Sequence, residues 1–446
     1  MPADRILARA IVDTATPLTG SWSDFDLLVD RIGDARFVLL GEASHGTHEF
    51  YRIRAELTKR LIREKGFIAV AAEADWPDAY RIHRYVRGVG KDPDATEALA
   101  DFKRFPQWMW RNADILDLVG WLRAHNDHVI DLSRKVGFYG LDVYSLHGSI
   151  QAVLAYLART DPDAEREARS RYACFDTLAA EPQLYGQVTA LGIRKDCEQE
   201  AVDQLVDLQR RRADLLRRHG VLAEDEQFEA EQNARVVARA EEYYRAMYLG
   251  GVSTWNLRDT HMMDTLDALA LHLERHGTRA KIVVWAHNSH IGDASATDRG
   301  EHGELNIGQL CRARHPGETV LVGFSTYHGT VTAASDWGQA AERKRVRPAL
   351  PHSYESLFHA TGVPSFLLLL EQLGEAAGAL HEPRLQRAIG VVYRPQTERA
   401  SHYYHVHLPD QFDAIFHLDE TRALEPLERT AEWERGELPE TFPTGL

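Results

Sequence analysis

The stretch Leu39-Leu40-Gly41-Glu42-Ala43-Ser44-His45-Gly46-Thr47-His48-Glu49-Phe50 decides how the rest of the sequence is read. An apolar run stops at Gly41, a carboxylate and an imidazole follow three residues apart, and helical spacing takes over after Thr47. A buried strand giving way to a helix places Glu42 and His45 in the turn at the strand's carboxyl end, where open α/β sheets carry their ligand sites. Thr47 as helix cap and Glu49 in the first turn account for the right half of the stretch by local physics alone. Glu42 and His45 are left without a structural reason, so His45 is taken as the centre of the chemistry.

Working outward, residues 36–40 read as a fully buried parallel strand, preceded by helical segments carrying Ile6, Leu7, Ile11 and Val12, then Phe25, Leu28, Val29 and Ile32. On the other side Phe50, Ile53, Leu57 and Leu61 recur at helical spacing until Lys65-Gly66 closes the helix. Arg54 falls on the inward side about two turns from the strand end, which admits a site role beside ordinary snorkelling. A second buried strand over 67–72 also ends in a carboxylate, Glu73. A strand, helix, strand unit of this length predicts parallel strands with their ends side by side, bringing Glu73 toward Glu42. Two carboxylates held together raise the pKa of one, which prepares acid and base work.

Residues 78–131 read as mainly helical, with Trp108 and Trp110 assigned to core packing. A third strand over 136–141 ends at Asp142. Residues 148–250 carry no strand signal, only helical periodicity such as Ala201, Leu205 and Leu208 amid dense charge, up to Gly250-Gly251. The helix that starts at Trp255 sets Arg258 and His261 on one face. The strand over 281–286 then ends in His287-Asn288-Ser289-His290. One buried histidine is usually a core residue, but a pair at the same kind of strand end as Glu42 and Glu73 favours a site, with Asn288 or Ser289 orienting the rings. Further strands over 319–324, 366–370, 389–393 and 414–418 complete the sheet, 401–407 is a strand or extended edge segment, and the tail after Pro426 is loose. The expected fold is α/β: a central, mostly parallel sheet flanked by helices, with a large helical insertion. Residues 1–147 form the first part of the core, 148–250 the insertion and cleft wall, and 251–446 the second part with a C-terminal segment.

Lys plus Arg at 52 against Asp plus Glu at 67 gives a net charge of −15, which argues against nucleic acid or an anionic membrane as partner. No apolar run approaches a membrane span, and no apolar h-region follows the first residues. Cys174, Cys197 and Cys311 are odd in number and lack metal spacing, so free thiols in a reducing compartment and a cytoplasmic, soluble protein are expected.

Glu42, His45, Glu73, His287 and His290, with Arg54 and Arg258 as nearby cations, suit hydrolysis. No Gly-x-Ser-x-Gly elbow is present, and Ser44 sits beside His45 in sequence, so the two side chains point apart. Water is therefore the expected nucleophile. Neither a phosphate-cradling glycine loop nor a dinucleotide fingerprint follows the first strand.

Gly41-Glu42-Ala43-Ser44-His45-Gly46-Thr47, Glu73-Ala74-Asp75-Trp76, Trp255-Asn256-Leu257-Arg258-Asp259 and Ala286-His287-Asn288 together resemble the erythromycin esterase family, including its members labelled as succinoglycan biosynthesis proteins. The resemblance covers nearly the whole chain, and four motifs in order are more specific than any one. In that family an α/β core with a helical insertion forms a deep cleft and a histidine activates water to open a macrolide lactone; for this chain the resemblance implies the fold and the water activation, with a macrolide as one possible substrate. By this similarity His45 is the base, Glu42 and Glu73 orient it and its water, and Arg54, Arg258 and His287 bind or polarise the ester carbonyl; His290, the second imidazole of the strand-end pair, is placed on the substrate side. The resemblance implies a small-molecule ester or lactone as substrate, with no cofactor. Two rivals stand beside it: a metal-dependent hydrolase in which Glu42, His45, Glu73, His287 and His290 hold zinc or manganese, and a non-catalytic protein whose cleft captures a small molecule.

Overall fold

A computed structural model describes residues 2–178, 182–190, 196–219, 221–248, 253–277, 279–380 and 382–436. Its strands are β1 (Thr16–Pro17), β2 (Phe37–Leu40), β3 (Ala69–Asp75), β4 (Gly137–Asp142), β5 (Ile282–Trp285), β6 (Thr319–Ala333), β7 (Glu342–Val346), β8 (Ser365–Leu369), β9 (Arg384–Arg387), β10 (Tyr403–Val406) and β11 (Ala414–Thr421). The chain forms two compact units, one of Met1–Val70, Tyr85–Val136 and Lys281–Leu446, the other of Ala71–Arg84 and Gly137–Ala280.

In the first unit the strand order is β1-β8-β11-β6-β2-β5, with β7 added to the far end of β6. β2, β5, β6 and β11 run parallel, while β8, β1 and β7 pair antiparallel. The sheet is mixed, mostly parallel and flanked by helices, as the sequence predicts. Phe37 to Leu40 are all fully buried, because a strand covered on both faces must be apolar at every position rather than at alternate ones. The helix His48–Lys65 follows and ends at Gly66, whose φ of 71° is the left-handed conformation that glycine adopts without penalty.

The neighbours of β2 correct one expectation. β2 pairs with β5 on one edge and β6 on the other, Leu39 standing opposite both Val284 and Leu321. Both edges are filled by strands distant in sequence, so β3 is not a pairing partner of β2. Residues 389–393 are a second correction, for they add no strand to the sheet. Their backbone makes isolated bridges, Ile389 to Ser44 and Val392 to Ala334. Their apolar character has another cause: Ile389 and Tyr393 are buried in a small cluster with Val331, Ala333 and Val346. Segment 401–407 does contain a strand, β10, but it pairs with β9 in a separate two-stranded ribbon. Nor is the chain after Pro426 loose as far as Gly436. Trp433 is buried on the helix Ala431–Arg435 and donates Nε1–H to Thr332 Oγ1 at 2.8 Å, which anchors the segment.

In the second unit β3 neighbours β4. Gly140 makes their close approach possible: a Cβ there would lie 2.4 Å from the Ala74 carbonyl oxygen. The helices Leu146–Thr160, Pro162–Tyr172, Glu198–His219, Val221–Ala246 and Ser253–Leu273 follow. They pack around Val153, Leu157, Tyr172, Leu208, Val237 and Ala240. Cys174 and Cys197 are disulfide-bonded here, which overturns the expectation that all three cysteines are thiols; Cys311 remains a buried thiol. The bond depends on helical segments folding back until the two Cα atoms stand 6.0 Å apart, a proximity that spacing in the sequence does not reveal. The Gly250-Gly251 boundary lies outside the described residues. Among those residues, no helix is long and apolar enough to cross a membrane.

Candidate active site

In the first unit the turn after β2 is held by backbone contacts from four remote segments. Gly41 N–H bonds the Val322 carbonyl at 2.8 Å, and Asn288 N–H bonds that of Glu42 at 2.8 Å. Ile389 N–H reaches the Ala43 carbonyl at 2.8 Å, and the Gly46 carbonyl accepts from Thr332 N–H at 2.9 Å and Leu424 N–H at 2.8 Å. Gly46 has no alternative here, because a Cβ would stand 1.8 Å from the Thr332 carbonyl oxygen. Ser44 is buried and its hydroxyl is hydrogen-bonded to that of Thr47, so it sits inside the turn rather than at its surface.

Glu42, 1% exposed, divides its two oxygens between two partners. Oε1 meets His45 Nδ1 at 2.9 Å, and Oε2 accepts from Arg54 Nη2 at 2.6 Å. Arg54, also 1% exposed, is sandwiched between the rings of Tyr51 and Trp285, with Cζ 4.4 and 4.5 Å from their centroids. Trp285 is fixed in turn by Nε1–H to Thr58 Oγ1 at 3.0 Å. The Glu42 carboxylate and the two π faces together hold the Arg54 guanidinium in place.

His287 lies at the end of β5 and caps the short helix Asn288–Ile291. Its Nδ1 accepts the backbone N–H of Ser289 at 3.2 Å and lies 2.8 Å from Ser289 Oγ. An Nδ1 that accepts from a backbone amide leaves the proton of a neutral ring on Nε2. His45 has the opposite arrangement, since an ionised Glu42 can only accept and so draws the proton to Nδ1. The two rings are 4.9 Å apart at their centroids, inclined by 46°. Asn288 closes the strand ends, its amide donating to the Phe324 carbonyl at 2.7 Å and accepting Phe324 N–H at 3.2 Å. His290 is buried on the same short helix.

In the second unit Glu73 and Arg258 meet, with Asp142 as a third member. Arg258 Nη2 donates to Glu73 Oε1 at 2.6 Å and to Asp142 Oδ2 at 2.6 Å, and Nε donates to Asp142 Oδ1 at 2.9 Å. Burial opposes the charge of Arg258, but the carboxylates of Asp142 and Glu73 and the Tyr144 phenol hold its pKa well above the ordinary value. His261, one turn further along the helix, is pushed down to about 4, burial being the main cause.

The structure therefore brings Glu42, His45, Arg54 and His287 together in the first unit and Glu73 with Arg258 in the second. The sequence reading left three contributors outside the set. Tyr51 and Trp285, which clamp Arg54, carry no signal beyond aromatic packing; Asp142 does, as the third carboxylate at a strand end. Among the described residues no group of three or more His, Cys, Asp or Glu side chains is arranged to hold a metal ion.

Comparison with known proteins agrees with this architecture. The model of the family described as erythromycin esterase matches residues 62–421. Erythromycin esterase type II of Escherichia coli is 21% identical over 420 residues, covering 91% of this chain and 94% of that protein. Among solved structures, a crystal structure described as a succinoglycan biosynthesis protein is 22% identical with a TM-score of 0.74, covering 95% of this chain and 99% of that one. A mutant erythromycin esterase, EreC, in its open conformation is 17% identical with a TM-score of 0.65, covering 94% and 99%. Likenesses at these identities show the fold, and the family match supports a hydrolase of that type. With the match spanning most of its length, the chain belongs to the erythromycin esterase family.

Proposed function

We propose that the protein hydrolyses a carboxylic ester or lactone by adding a water molecule activated by His45. The observation that carries the proposal is a pair of neighbouring rings whose Nδ1 atoms face opposite kinds of partner, a carboxylate at His45 and a backbone N–H at His287. His45, with Nδ1–H given to Glu42, presents Nε2 as a proton acceptor, while His287, with Nδ1 accepting from Ser289, presents Nε2–H as a donor. A neutral imidazole removes a proton from water as water attacks the carbonyl carbon, and the second imidazole donates to the oxygen that gains negative charge. His45 then returns the proton to the departing alkoxide, so acid and alcohol leave and the enzyme is restored. A donor aimed at the developing oxyanion is worth about 3 kcal/mol.

In this reading Arg54 acts through Glu42, because its guanidinium is committed to that carboxylate and to two aromatic faces. His290, buried on the short helix that begins after His287, stays on the substrate side. The chemistry needs no metal, and a small-molecule ester is the partner. The test is a screen of simple esters, small lactones and macrolide lactones with wild type beside His45→Ala. Turnover by wild type that His45→Ala loses, with the circular dichroism spectrum unchanged, supports the mechanism; normal turnover by folded His45→Ala sinks it. Elemental analysis and assay after chelation separate it from a metal-dependent reaction.

A further inference from the structure

In the first unit the chain that leaves β11 passes straight over the turn that carries His45. Residues 422–427 run antiparallel to two segments at once, bridging Thr47 through Ala423 and Asn112 through Pro426. His48 N–H bonds the Arg422 carbonyl at 2.9 Å and Ala113 N–H that of Glu425 at 3.0 Å, so this strap ties together the starts of the helices His48–Lys65 and Ala113–Asp127. Beside those bonds lies Gly46, the residue after His45. Its carbonyl accepts two amides, Leu424 N–H at 2.8 Å and Thr332 N–H at 2.9 Å. The two donors are joined to each other, because Thr332 Oγ1 donates to the Leu424 carbonyl. Trp433 completes the assembly by donating Nε1–H to Thr332 Oγ1 at 2.8 Å, which directs the hydroxyl proton toward Leu424. Gly46, Thr332, Leu424 and Trp433 are all buried. The indole is held in turn by the guanidinium groups of Arg343 and Arg429, 5.5 and 5.8 Å from its ring. Thr430 caps its helix and donates Oγ1–H to the Ala341 carbonyl at 2.9 Å.

Apolar burial of Trp433 would anchor the segment against any hollow that accepts an indole. The hydrogen bonds converge instead on the carbonyl that follows His45. From the other side Ile389 takes the two groups that precede it: His45 N–H bonds the Ile389 carbonyl at 3.3 Å, and Ile389 N–H bonds that of Ala43 at 2.8 Å. The backbone of His45 is gripped before and after, while Glu42 orients its ring. We infer that Thr332 and Trp433 are positioning residues for His45, the segment after β11 bracing the backbone on which the base is carried. The inference rests on the reading of His45 as the base. A base displaced by about 1 Å loses on the order of 100-fold in rate while the substrate still binds. Loosening the brace therefore lowers kcat and leaves KM nearly unchanged.

The test uses the full chain and three variants. Trp433→Phe keeps an aromatic face for the two arginines and removes Nε1–H; Thr332→Val keeps the shape and removes the hydroxyl; Thr332→Ser keeps the hydroxyl. On any ester that the wild type hydrolyses, Trp433→Phe should lose about tenfold and Thr332→Val about 30-fold in kcat, with KM within about twofold. Thr332→Ser should stay within about threefold of wild type. Amide hydrogen exchange followed by NMR needs no substrate. His45 and Leu424 N–H should exchange at least about tenfold faster in Trp433→Phe and Thr332→Val, while Val38 and Leu39 in β2 keep their wild-type rates, because the brace opens locally. Wild-type kcat in folded Thr332→Val overturns the inference, as does a loss that Thr332→Ser shares in full. Unchanged exchange at His45 and Leu424 also overturns it, and so does acceleration that reaches Val38 and Leu39 equally, the mark of a role in global stability alone. If the wild type hydrolyses no ester, the reading of His45 as base fails, and the exchange rates still decide whether the segment braces its turn.

Discussion

The two units solve opposite electrostatic problems with the same kinds of side chain. In the first, one carboxylate serves two bases: Glu42 is shared between Arg54 and the His45 ring. In the second, one base serves two carboxylates: Arg258 is shared between Glu73 and Asp142. The first arrangement gives the anion a permanent counter-ion while its other oxygen orients the His45 ring through Nδ1. The second keeps a guanidinium charged in a site where burial opposes the charge.

The comparison is broken most severely at Glu42. Glu42→Gln keeps the shape, but its amide no longer compels Nδ1–H, and kcat on an ester substrate should fall about a thousandfold, a loss of about 4 kcal/mol in transition-state stabilisation. A value within tenfold of wild type would remove Glu42 from the mechanism. Next, Arg54→Met leaves the Glu42 carboxylate buried without that counter-ion. Unfolding in urea at pH 7 should show a loss of about 3–5 kcal/mol, largely recovered when Glu42→Gln is added. A double variant no more stable than Arg54→Met would show that the pair is not coupled.

Acid sharpens the contrast from the other side. Folding lowers His261 from 6.5 to about 4, with burial first and Arg235 and Arg239 adding to it, while Asp142 and Asp264 oppose it. The unfolded chain takes this proton below about 6.5 and the folded one only below about 4, so unfolding binds a proton in between. Stability should therefore fall as the pH drops through that window, by about 3 kcal/mol at pH 4. His261→Gln should flatten this part of the profile in urea titrations at pH 7 and 4.5; an undiminished drop in the variant would rule out His261 as its source. The smallest effect expected is at Ser289. Ser289→Ala removes the hydroxyl from His287 Nδ1 but leaves the backbone amide, so kcat should fall only about fivefold, near 1 kcal/mol. A hundredfold loss would mean that the hydroxyl, not the amide, sets the tautomer.

Strands β2, β5, β8 and β11 were legible because each is an apolar run covered on both faces, and the helix from His48 because its apolar positions recur at helical spacing and a glycine ends it. β7 was not, since Glu342-Arg343-Lys344-Arg345-Val346 is a charged edge strand with no apolar run to announce it. β9 escaped for a related reason: Arg387 is buried, but through an ion pair with Glu398 and a bond to the Tyr403 hydroxyl, not through hydrophobicity. Residues 389–393 misled in the other direction, because an apolar run marks burial and not membership of a sheet.

The sequence alone determined that carboxylates and imidazoles follow buried strands, because the end of an apolar run and the start of a helix are set by residues within a few positions of one another. It also carried the family's motifs in order. The tertiary structure decided partners. It filled both edges of β2 with β5 and β6, divided Glu42 between Arg54 and His45, and joined Arg258 to Asp142 across 116 residues. Strand order and the pairing of buried charges depend on which distant segments pack together, and no local periodicity encodes that choice.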